Sequence, residues 1–105
     1  MIVNKEWNCS MAKVLDTVCG KWRMNIIWVI DKNESVRYNQ LKREVKGITN
    51  TSLLRDLETL IKEGMVCKLD FQEKLRHTEY YLSEKGKSLI PILKELNNWG
   101  KKHLS

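Results

Sequence analysis

Apolar residues recur at Met11, Val14, Leu15, Val18 and Trp22, the spacing of one helical face. The pattern predicts a first amphipathic helix, with Ser10 as its N-cap and Gly20 at its end. Residues 26–30 are apolar throughout, and with Lys21-Trp22-Arg23-Met24-Asn25 leading in they read as a short helix buried on most sides. Asp31-Lys32-Asn33-Glu34 follows as a polar turn, and Ser35-Val36-Arg37 as a short strand.

A two-turn helix over 39–45 then buries Leu41 and Val45 and stops at Gly47. Thr49 is placed to cap a longer helix over 50–63, because its hydroxyl can accept an unpaired first-turn amide. Leu53, Leu57, Leu60 and Ile61 supply that helix with one apolar stripe. Two helices joined by a short turn containing glycine fit a helix-turn-helix, in which the first braces the second against the core.

After Gly64 the pattern changes to period two. Residues 65–71 place Cys67, Leu69 and Phe71 on one face and Val66, Lys68 and Asp70 on the other. Thr78, Tyr80 and Leu82 alternate with Glu79 and Tyr81, so a second strand returns antiparallel across the polar tip 72–77, forming the wing of a winged helix. Ser83 then caps a final helix carrying Leu89, Ile90, Leu93, Leu96 and Trp99, bent at Pro91 where a backbone donor is missing. The fold class is therefore mainly α with a small β-hairpin, a single winged helix-turn-helix domain over 1–105.

Composition narrows the function classes. The 105 residues carry 19 Lys and Arg against 13 Asp and Glu, a net charge of +6 that favours a polyanionic partner without locating its face. The uncharged run 24–30 is far short of the ~20 residues that span a membrane, and the N-terminus lacks an apolar signal core. A cytoplasmic protein with no membrane role is expected. Cys9, Cys19 and Cys67 form no CxxC pair, and with His77 and His103 they make no metal-ligand spacing. Gly20-Lys21-Trp22 lacks the remainder of a phosphate loop, so neither cofactor nor enzymatic chemistry is indicated.

Several motifs fall in a particular order. Cys9 precedes Gly20-Lys21-Trp22; then come Arg37-Tyr38-Asn39-Gln40-Leu41, Gly47-Ile48-Thr49, Leu53, Leu57 and Leu60. Glu63-Gly64-Met65-Val66, Glu79-Tyr80-Tyr81-Leu82-Ser83-Glu84-Lys85-Gly86 and Leu89-Ile90-Pro91-Ile92-Leu93, with Trp99, complete the series. In this the chain resembles the HxlR-type transcription regulators, a winged-helix family related to the MarR group, from Cys9 to Trp99. The resemblance implies a homodimer bound to double-stranded DNA; the apolar surface of the terminal helices, with Trp7 and Trp99, suits a two-fold pairing through them, and such a pair meets a palindromic operator. The resemblance also implies that Cys9 senses oxidants or small electrophiles. The chain departs from the family's usual residues at Ser10, Thr51, Leu54 and Leu75-Arg76, so an operator sequence does not transfer.

Within that frame Asn50, Thr51, Ser52 and Arg55 are the groove-facing candidates, since recognition helices enter the major groove by their first turns. Arg55 can bond a guanine edge in a paired fashion, and otherwise pairs with a neighbouring carboxylate. Lys74, Arg76 and His77 at the wing tip, and Arg37 before the brace helix, are candidates for phosphate or minor-groove contact. Cys9 stands beside the expected start of the first helix, where free amides and the helix dipole favour a thiolate. Cys19 and Cys67 read as packing residues, and either is a possible resolving thiol. The competing function is a winged-helix protein-interaction module without specific DNA readout.

Overall fold

A computed structural model describes residues 5–72 and 77–104, with side chains from residue 10 onward. Among these residues the element order is α1 (Lys5–Val18), α2 (Arg23–Asn33), β1 (Ser35–Arg37), α3 (Tyr38–Glu44), α4 (Asn50–Lys62), β2 (Val66–Phe71), β3 (His77–Leu82), α5 (Glu84–Lys87) and α6 (Ile90–His103). The strands form one antiparallel sheet in the order β1-β3-β2. The expected winged helix-turn-helix is present, with β1 added to the hairpin. No helix among the described residues is long and apolar enough to cross a membrane.

The core is built where the apolar pattern was densest. Ile26, Ile27 and Ile30 of α2 are fully buried with Val36, Leu41, Val45, Leu53 and Leu60. α2 therefore runs through the centre, and α3, α4, the sheet and α6 are laid around it. Thr49 caps α4 as expected, its Oγ1 accepting the Ser52 amide at 3.1 Å. Gly47, at φ +90°, makes the turn between α3 and α4 in a conformation that side chains with a Cβ disfavour.

Four local expectations are corrected. Ser10 is no N-cap: α1 already runs from Lys5, because nothing between Lys5 and Ser10 breaks a helix, and Cys9 thus lies inside it. Trp22 leaves the α1 stripe and precedes α2 as its N-cap residue. Asp31, Lys32 and Asn33 continue α2, and the turn tightens onto Glu34, at φ +65°. The final helix is two helices. Ser83 caps the short α5 by accepting the Gly86 amide, and Pro91 occupies the first turn of α6, where its missing N–H is not needed.

The short α5 is packed closely against the wing. A Cβ on Gly86 would run into the Met65 carbonyl oxygen, so the α5 turn sits directly on the start of the wing. The Met65 carbonyl also accepts from the Ser83 amide and hydroxyl. The wing is less simply amphipathic than its alternation suggested. Val66, Tyr80 and Leu82 face the core, while Leu69 and Tyr81 on the opposite side remain exposed.

Candidate nucleic-acid interface

α4 presents two contrasting sides. Leu53, Leu57 and Leu60 hold one side in the core, and Thr51, Leu54, Arg55 and Glu58 stand exposed on the other. The first turn of α4 carries no acidic residue, so its outward amides and dipole meet no competing carboxylate. Ser52 is half-buried, its amide engaged by the cap and its hydroxyl accepting from Arg55 Nη2 at 3.5 Å.

Beside this helix runs a groove lined by Arg37, Tyr38, Asn39, Asn50, Leu54, His77, Thr78 and Tyr80. Three of the sequence-derived candidates, Arg37, Asn50 and His77, thus meet on one surface although they come from three different elements. Tyr38 Oη donates to Asn50 Oδ1 at 2.9 Å, which ties the brace helix α3 to the start of α4. Arg37 ends β1 in register with Glu79, so the sheet sets its distance from the wing. His77 opens β3, stacked on Phe71 with ring centroids 4.5 Å apart and bonded to Glu79 at 2.9 Å. Lys74 and Arg76 lie outside the described residues.

Thr51 and Arg55 lie on the outer side of α4 and do not line the groove with Asn50. The sequence reading missed Tyr38, Leu54 and Thr78. Leu54 carried a usable signal: an apolar residue in the polar stripe, half-exposed, as a methyl-contacting residue would be. Nothing local signalled the Tyr38–Asn50 bond.

Two carboxylates of the surrounding frame are held ionised. Hydrogen bonds from Ser35 and His77 lower the Glu79 pKa. Hydrogen bonds from Gln40, Lys32 and Asn33 bring Glu44, at the end of α3, down to about 2. Burial, with Asp70 and Tyr38 nearby, raises the Tyr80 phenol and keeps it neutral. Together these contacts pin α3 to α2 and β1 to β3, fixing the frame that carries α4.

The thiols are dispersed. Cys9 lies in α1, five residues into the helix by its bounds, so the helix-start argument for a thiolate does not apply; its side chain is outside the described residues. Cys19 and Cys67 are free and half-buried. Among the described residues no cluster of His, Cys, Asp or Glu could hold a metal ion.

The HxlR-like helix-turn-helix family matches the chain over residues 17–105. An uncharacterised helix-turn-helix transcriptional regulator of Halalkalibacterium halodurans is 35% identical over 89 residues, spanning 85% of this chain and 79% of its own length. The crystal structure of a MarR-family regulator from Porphyromonas gingivalis W83 superposes with a TM-score of 0.85 at 30% identity, covering 99% of each chain. The redox regulator HypR in its oxidised form matches with a TM-score of 0.84 at 27% identity, covering 92% of this chain and 99% of that one.

Proposed function

The chain belongs to the HxlR-like helix-turn-helix family of transcriptional regulators, and from that premise we propose that it acts in the cytoplasm as a dimer which reads a palindromic DNA operator with α4. The observation that carries the reading is the outer side of α4: capped at Thr49, free of acid in its first turn, and exposed at Thr51, Leu54, Arg55 and Glu58. Thr51 and Arg55 face base edges, where a paired arginine–guanine contact contributes ~1–3 kcal/mol of discrimination. Asn50, Arg37 and His77 follow the phosphates along the groove; Lys74 and Arg76, outside the described residues, are assigned to phosphate contact on their charge alone.

Dimerisation is supported by the apolar surface of the terminal helices. Val14 and Leu15 of α1 and Ile92, Leu96 and Trp99 of α6 are exposed, and Val14 and Ile92 line one cleft; apolar surface left over on both helices suits a second copy. Two α4 helices held ~34 Å apart would meet successive major grooves on one face of the duplex. The reading includes Cys9 as a sensor of oxidants or electrophiles; what supports it is a matching structure that bears the name of a redox regulator in its oxidised form, while the family match begins at residue 17.

Titration of a palindromic fragment from the protein's own promoter region tests this. Tight binding that falls steeply with salt, through release of phosphate counterions, is expected. Weak, sequence-blind binding at physiological salt would favour a protein-interaction role. Repeated after mild diamide treatment, the titration should change for the wild type and stay unchanged for Cys9→Ser; equal responses would remove Cys9 from the mechanism.

A further inference from the structure

Asp56 is the buried charged side chain among the described residues, 5% exposed on the flank of α4 next to Arg55. Two guanidinium groups approach the same oxygen. Arg23 Nε donates to Asp56 Oδ1 at 3.3 Å, and Arg55 Nε stands 3.8 Å from it. Their settings differ: the Arg23 side chain is 20% exposed, the Arg55 side chain 64%.

Arg23 is also anchored from behind. Its Nη1 donates to the carbonyls of Asp16 and Thr17, in the last turn of α1, where backbone acceptors lack partners within the helix. The guanidinium is therefore held between α1 and α4 with its donors committed on both sides. A buried carboxylate demands a partner, and losing one leaves a charge that the surroundings move to satisfy. With Arg23 in place the demand is met from inside the molecule. With Arg23 absent, Arg55 is the remaining ion-pair partner of Asp56 among the described residues, already close enough that a small side-chain rotation completes the contact.

We propose that Arg23 is a specificity-determining positioning residue: by taking the closer contact to Asp56 from the α1 side it leaves Arg55 only the looser 3.8 Å approach, from which its exposed side chain can swing out to a base. Arg23 itself touches no DNA in this arrangement. Its removal draws Arg55 back along α4 and converts a reading residue into a structural ion pair. This rests on the assignment of Arg55 to base contact above.

The test is the ratio of operator to scrambled-DNA affinity in a set of full-length variants, with thermal unfolding followed alongside. Arg55→Ala and Arg23→Gln should each lower the ratio about tenfold, within the range of one paired base contact. The double variant Arg23→Gln/Arg55→Ala should lose no more than Arg55→Ala alone. Asp56→Asn in the Arg23→Gln background should restore the ratio, since the carboxylate that captures Arg55 is gone. Arg23→Lys keeps a cation for Asp56 but cannot also span to the Asp16 and Thr17 carbonyls, so its loss should be smaller than that of Arg23→Gln and should likewise be rescued by Asp56→Asn. A loss in Arg23→Lys as large as in Arg23→Gln and not rescued would count against the proposal.

Multiplying losses in the double variant, or no rescue by Asp56→Asn, would overturn the proposal and leave Arg23 a residue of the fold alone. An unchanged ratio in Arg55→Ala would instead mean that the base-contact assignment has failed. A tenfold loss in Arg55→Ala with none in Arg23→Gln would sink only the role given to Arg23.

Discussion

α4 and α6 are both amphipathic, yet the molecule treats their apolar residues in opposite ways. On α4, Leu53 and Leu60 are fully buried and the exposed side is mainly polar. On α6, Leu93 is buried while Ile92, Leu96 and Trp99 are each more than half-exposed. α1 repeats the second case: Val18 is buried, and Val14 and Leu15 are 41% exposed. A helix that buries most of its apolar residues within the chain, as α4 does apart from Leu54, has mainly polar groups to offer a partner. One with apolar residues left over offers a surface that water disfavours. The first fits the polar edges and phosphates of a duplex, the second another apolar face.

The largest expected effect breaks the α4 side of this contrast. Leu57→Ala removes a side chain that is 2% exposed, and should destabilise the protein by ~2–5 kcal/mol in urea unfolding. A loss under ~1 kcal/mol would mean that α4 is not seated as described. The corresponding change on α6, Leu96→Ala with Trp99→Ala, removes little that the single chain buries. Helix content should survive while sedimentation shifts towards the monomer, and operator affinity should fall with it. Unchanged sedimentation would detach these residues from dimerisation.

A smaller effect probes the frame between the two regions. Glu44 is held near a pKa of about 2 by Gln40, Lys32 and Asn33, below its ordinary 4.5. A depressed folded-state pKa gives stability that is present above the ordinary value and lost as pH falls through the lowered one. The wild type should therefore lose part of its stability between about pH 4.5 and pH 2, and Glu44→Gln should lose less over that window. Identical urea midpoints for the two proteins across it would remove this network from the account.

What could be read from the chain was what local chemistry decides. Thr49 as cap, the leucine stripe of α4 and the strand pair closing the wing depend on residues within a turn or a hairpin of one another. Gly47 and Gly64, at φ +90° and +78°, mark turns that few other residues favour. The start of α1 was misread because Ser10 has a capping side chain wherever it stands, and only the continuing backbone shows that it caps nothing. Pro91 was misread as a bend because a proline's effect depends on its distance from the helix start, and α6 begins at Ile90, one residue before it.

The candidate interface was half legible for the same reason. Asn50, Thr51, Ser52 and Arg55 follow from one capped helix, but the groove joining Arg37, Asn50 and His77 depends on how the sheet, α3 and α4 are assembled. The Arg23–Asp56 pair, 33 residues apart in sequence, had no local signature at all. Charge composition did not mark it either, because both residues count as ordinary surface charges until the fold buries one of them.

Contact between the outer side of α4 and DNA can be followed at the residues themselves, through the backbone amide shifts of nitrogen-15-labelled protein as a palindromic operator fragment is added. The largest changes are expected at Asn50, Thr51, Ser52 and Arg55, with Arg37 and His77 next and the buried residues of α2 little affected. Saturable binding that leaves the amides of 50–55 unmoved while shifting another surface would mean that α4 does not read the duplex.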